Sequence, residues 1–169
     1  TPSGNRGWNF PEQTVLIKSF AIDLIEGDPS SRRWIETRFL HREQNEWVGY
    51  SYRWNNGQTD ATLVDKSGAD VTFQIQTADG RTVNRKWRYP SRAECMVCHS
   101  RAANYVLGLS TPQMNRDHDY SSIGGAVDNQ LRTLEHLGYL NLRRKGGKDA
   151  PFAADDYPRL ANPYDKSES

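Results

Sequence analysis

The chain has 169 residues, 36% of them apolar and 25% charged, with 22 basic side chains against 21 acidic ones and a formal net charge of +1. So even a balance gives no electrostatic footprint for nucleic acid, and no apolar run approaches the ~20 residues of a membrane-spanning helix. Its two cysteines can neither staple a disulfide framework nor fill a four-thiolate zinc site.

The first patterned run, "TVLIKSFAIDL" from Thr14, is apolar on both faces and predicts a central strand. "WIETRFLH" (34–41) alternates, with Ile35, Thr37 and Phe39 on one face. "WVGYSYRW" (47–54) alternates with Val48, Tyr50, Tyr52 and Trp54 together, which the period-2 rule turns inward. "VTFQIQ" (71–76) sets Val71, Phe73 and Ile75 against polar neighbours. "VNRKWRY" (83–89) does the same with Val83, Trp87 and Tyr89, although Arg85 falls on the apolar side. "NNG", "DKSG" and "ADG" supply turns between them. Residues 12–90 therefore read as an antiparallel β-sandwich or small open barrel.

At Pro90 the pattern changes. "SRAE" (91–94) is a capping box, so a helix is expected from Arg92. A second helix is expected near 127–137, with Val127, Leu131, Leu134 and Leu137 at helical spacing and Gly138 as its stop. Residues 143–169, rich in Pro, Gly and charge, read as an extended peripheral tail. The expected fold is one α+β domain: a β-rich part, a helical segment over 91–142, then the tail.

Both cysteines lie in "AECMVCHS", where Cys95 and Cys98 are followed at once by His99. On a helix opening at Arg92, positions i, i+3 and i+4 share a side. Two thiols and an imidazole presented together fit covalent haem c attachment, with the thiols on the two vinyl groups and His99 on the iron. A redox dithiol would want a βαβ setting. A disulfide at this spacing on a helix is strained, and zinc would need two more ligands from distant histidines. For the sixth iron position Met114 is the first candidate, since the chain beyond His99 is long enough to pass the haem edge at ~3.3 Å per residue. His118, between Asp117 and Asp119, is the alternative. Trp87, Tyr89, Tyr105, Leu107 and Leu109 are candidate porphyrin walls, and Arg92, Arg101 and Arg116 are candidate partners for haem propionates.

"WRYPSRAECMVCH", "LGLSTPQMNRD" and "DNQLRTLEHLG", with "FPEQTVLIKSF", "IETRFL" and "YRWNNGQTDATL" upstream, resemble a c-type cytochrome module of planctomycete-type extracytoplasmic multidomain proteins. Haem domains attached to sugar-dehydrogenase-like proteins are related to it. The resemblance covers nearly the whole chain. It implies one covalent haem c, a periplasmic or otherwise extracytoplasmic location, and a haem domain excised from a longer protein. Its partner would be a redox protein, a fused dehydrogenase or a second haem domain.

Three functions follow as expectations. The first is single-electron transfer by a monohaem domain without catalytic residues of its own. The second is an open or weakly ligated haem iron that binds a small ligand or senses gas or redox state. The third is a carbohydrate-binding β module, which an exposed flat row including Trp47 or Trp54 would favour.

Overall fold

The structure is a computed structural model that describes residues 7–142, 145–147 and 149–162. The chain divides into two compact units. One is Phe10–Cys98, and the other joins the residues up to Asn9 with those from His99 onward.

The Phe10–Cys98 unit holds an antiparallel sheet in the order β1 (Val15–Asp23), β2 (Arg32–Glu43), β3 (Glu46–Trp54), β4 (Ala61–Leu63). A second antiparallel pair, β5 (Ala69–Gln76) and β6 (Thr82–Tyr89), leads into helix α1 (Arg92–Cys98). The antiparallel α+β expectation holds at that level, but no barrel closes. β2 and β3 join through Gln44 and Asn45, both at positive φ (53° and 62°), the geometry of a tight hairpin turn.

β1 is an edge strand rather than the expected central one. Val15 is 46% and Ile17 65% exposed, so apolar character on both faces came without a second neighbour. The faces of β2 also differ from strict alternation. Register slips opposite Phe20 and Ala21, leaving Ile35 as an extra residue between the pairs Phe20–Glu36 and Ala21–Trp34. A bulge re-phases everything after it, and Ile35, Glu36 and Thr37 are buried in succession.

The consequence is an inverted polarity. Paired positions in the ladder put Thr37, Phe39 and His41 of β2 with Tyr52, Tyr50 and Val48 of β3. These aromatic residues are only half-buried, so Tyr50, Tyr52 and Trp54 are not the deep core that alternation suggests. The opposite face carries Glu36, Leu40, Trp47, Gly49 and Ser51, all buried. The β5–β6 pair packs on this sheet through contacts that include Trp87 edge-on against Phe20, the Trp87 indole on Glu36, and the Tyr89 hydroxyl donating to the Ile35 carbonyl at 3.0 Å. Tyr89 is fully enclosed.

The other unit contains α2 (Thr111–Met114), the short antiparallel pair β7 (Asp117–Asp119) and β8 (Val127–Asn129), and α3 (Gln130–His136). The expected helix over 127–137 therefore starts late. Val127 is in β8 and 63% exposed. Asn129 ends that strand and caps α3, its Oδ1 accepting from the Leu131 amide at 3.0 Å, which is ordinary N-cap chemistry. Buried apolar residues among those described include Trp8, Val106, Pro112, Leu131 and Leu142. The tail is less peripheral than its composition suggests. Asn115, 2% exposed, donates to the carbonyls of Ala154 and Tyr157 at 2.9 and 3.0 Å and accepts from Asn129 at 2.9 Å. Residues 163–169 of that predicted tail lie outside the described residues.

Candidate functional site

Helix α1 opens as its capping box requires. The Ser91 Oγ accepts from the Glu94 amide at 3.1 Å, and the Glu94 carboxylate accepts from the Ser91 amide at 2.6 Å. Glu94 also takes the Arg88 guanidinium at 2.8 Å. That Arg88 contact, with the Ser91 donors, holds its carboxyl down at about 2.

The two thiols this helix carries are not equivalent. Cys98 is exposed and Cys95 half-buried, and neither is in a disulfide. Cys95 sits directly on the β3 backbone at Gly49. A Cβ there would come within 2.7 Å of both the Cys95 Cβ and Sγ, so only glycine leaves room. Burial pushes the Cys95 thiol up, Arg38 pulls it the other way and Glu36 adds to the rise. On the same helix, the Arg92 guanidinium stacks 4.6 Å from the centre of the Tyr50 ring.

Behind Cys95 lies a polar cluster. The Glu36 side chain is wholly buried and accepts from four donors. Arg38 binds it in a fork at 2.7 and 2.9 Å, Trp87 Nε1 donates at 2.9 Å, and Ser51 Oγ donates at short range. The Arg38 guanidinium is held 4.5 Å from the Phe20 ring centre. An ionised carboxylate is tolerated in such a place only when it is so fully satisfied. Neither Glu36 nor Gly49 stood out in the sequence. A glycine inside a strand pattern signals close backbone approach, and that signal was available in "WVGYSY". Trp87 and Tyr89, expected as porphyrin walls, serve here as a Glu36 donor and a core residue.

His99 does not extend the helix face. α1 ends at Cys98 and the chain bends at His99, so the expected i, i+4 alignment with Cys95 is not made. In its own unit, His99 Nδ1 lies 2.5 Å from the Tyr105 carbonyl. A carbonyl only accepts, so Nδ1 is the donor; in the neutral ring that tautomer leaves the lone pair on Nε2. The loop that aims this carbonyl is strained: Asn104 and Tyr105 are both left-handed, with φ of 57° and 63°. Ser100 caps the turn at Arg101–Ala103, and Asn104 Nδ2 ties the loop to the Gly7 carbonyl and the Asn9 side chain at 2.8 and 2.9 Å.

The remaining candidates are placed as follows. Met114 is half-buried at the end of α2, and His118 is exposed in β7, its ring 4.6 Å from that of Tyr120. Leu107 is half-exposed, while Leu109 is half-buried and its carbonyl accepts from the Trp8 amide. Arg101 Nε is 3.5 Å from the Tyr105 hydroxyl. Arg116 gives one guanidinium nitrogen to the Leu160 and Ala161 carbonyls, which fixes it to the tail. Trp47 is buried, and Trp54 Nε1 donates to Thr37, so these two do not form an exposed row.

Two free thiols three residues apart, followed at once by an imidazole, are the residue types that covalent haem c attachment uses. Among the described residues no three His, Cys, Asp or Glu side chains gather as a metal site. None of the described helices is long and apolar enough to cross a membrane. Comparison of the chain with protein-family models, curated proteins and solved structures finds no match.

Proposed function

We propose that this chain is a monohaem c-type cytochrome domain of an extracytoplasmic electron-transfer protein. Cys95 and Cys98 would hold the haem through thioethers and His99 would bind its iron. The observation that carries this reading is the 2.5 Å contact between His99 Nδ1 and the Tyr105 carbonyl. A ligating histidine needs its second nitrogen held by an acceptor, which fixes the tautomer and ring orientation and raises the basicity of the other. When bound, the haem supplies one-electron chemistry. The chain's own part is to anchor, to orient the imidazole, and to shield one thiol while leaving the other open.

Met114 is the preferred sixth ligand over His118, because it is half-buried on a helix end whereas His118 is exposed. A thioether there raises the reduction potential, as suits an electron carrier. The partner would be another redox protein or a domain fused to this one.

The test is expression with the c-type maturation machinery. Haem that stays on the denatured chain, and is lost in Cys95→Ser with Cys98→Ser, supports the reading; colourless protein with both thiols titratable overturns it. In the ferric spectrum, the long-wavelength band of methionine ligation should vanish in Met114→Ala. Rapid carbon monoxide binding by the reduced wild type would instead select the open-iron reading.

A further inference from the structure

A small cavity of ≈100 Å³ opens where β2 begins and β3 ends, within the Phe10–Cys98 unit and lined by Arg33, Trp34, Arg53, Trp54 and Phe73 among others. At ~30 Å³ per molecule that is room for about three waters. The loop over 55–60 closes it and is itself rigid. Gln58 sits at φ 57°, and its side chain stands in for a missing strand, accepting from the Trp34 amide at 2.7 Å and donating to the Trp34 carbonyl at 3.0 Å. Asn55 and Thr59 bond each other twice, at 3.1 Å each. The walls are therefore set before any ligand arrives, which lowers the cost of binding.

What the cavity offers a ligand follows from what is already engaged. The Asn55 and Gln58 amides are committed to the loop, the Asn56 carbonyl takes Arg33 Nη2 at 2.9 Å, and the Trp54 indole is held by Thr37. No carboxylate lines the site. The Arg53 guanidinium is exposed and makes no hydrogen bond or ion pair with a described residue. What is left is one cation without a hydrogen bond or ion pair, part of a second, the Asn56 side-chain amide and aromatic surface.

We propose that this cavity binds a small organic carboxylate borne on an apolar ring. The carboxylate enters and meets the Arg53 fork, since guanidinium matches it with two parallel bonds. The ring stays half outside against Trp34, which is 47% exposed. A few placed polar groups in an aromatic frame are what small-ligand sites use. Of the three side-chain amides in the lining only that of Asn56 makes no hydrogen bond with a described residue, too few to pair the hydroxyls of a polyhydroxylated sugar. This assignment stands whether or not the chain carries haem.

Calorimetric titration of the full chain tests it, with benzoate, its neutral isostere benzamide, glucuronate and inorganic phosphate as probes. Benzoate should bind saturably, with each of the other three at least tenfold weaker. Arg53→Met should weaken benzoate at least tenfold and Trp34→Leu severalfold, without change in the thermal melt of the Arg53 variant. Absence of saturable benzoate heat, equal binding of benzamide, glucuronate or phosphate, or an unaltered affinity in Arg53→Met would each overturn it.

Discussion

Gly49→Ala should disrupt the seat of Cys95 more than any other single methyl added to this unit's sheet. The new Cβ would lie 2.7 Å from both the Cβ and the Sγ of Cys95, whereas carbon atoms prefer separations of about 3.5–4.0 Å. The Cys95 Cβ is fixed by the helix backbone and no side-chain rotation moves it, so α1 must lift by close to an ångström or β3 must give. Overpacking of this kind costs ~1–3 kcal/mol. In a unit of this length each kcal/mol lowers the melting temperature by about 4–8 °C. The assay is urea and thermal unfolding of wild type and variant, with the fraction of chains carrying covalent haem measured beside it. Gly57→Ala is the control, because its added Cβ meets nothing nearer than 3.6 Å. A Gly49→Ala protein as stable as wild type and equally loaded would refute the packing of α1 on β3 described above.

Glu36→Gln keeps the shape but leaves Arg38 without its anion; since Arg38 is 35% exposed, the loss should be about 2–3 kcal/mol, below the cost of stranding a fully buried charge, read from urea unfolding. Glu94 has its carboxyl depressed from 4.5 to about 2, so its contribution is complete above pH 4.5 and disappears as pH falls toward 2. Melting curves of wild type and Glu94→Gln should accordingly differ near neutrality and converge across that window; a gap that persists at pH 2 would mean the carboxylate is not the stabilising form. Asn104→Val places a β-branched residue at φ 57° and removes the ties to Gly7 and Asn9, for a loss of ~2–3 kcal/mol by unfolding, while Asn104→Gly should lose less because it accepts the backbone.

Where local chemistry decides the outcome, the sequence was legible. The Ser91–Glu94 box starts α1 at Arg92, and "ADG" and "DKSG" fall in turns flanking β5. Alternation failed in β2 because one extra residue at Ile35 re-phases the strand, and a bulge leaves no mark in hydrophobic period. It failed in β3 because aromatic residues dominate one face while the opposite face is buried under a hairpin and a helix that lie far along the chain. Burial of Glu36 rests on Arg38 beside it, Ser51 across the sheet and Trp87 from another sheet; only the last two require the fold to be known. The Asn129 cap could have been read from "DNQL", but the helical spacing of Val127 masked it. In the motif, thiol spacing was legible and the end of the helix at Cys98 was not, nor was the carbonyl six residues later that meets the His99 ring.

Two of the departures from local rules adjoin the motif, while left-handed Gln13, Gln44, Asn45 and Gln58 lie elsewhere. The buried carboxylate and its donors stand behind Cys95, and the two left-handed residues stand beside His99. Each is costly: a buried charge needs every lone pair answered, and a non-glycine residue in the left-handed region sits about 1–2 kcal/mol above its relaxed form. Such costs persist where surrounding structure imposes them for a use. In the proposed reading these costs have a use: the Glu36 cluster borders Cys95, and the loop that holds Asn104 and Tyr105 would fix the tautomer of a ligating His99.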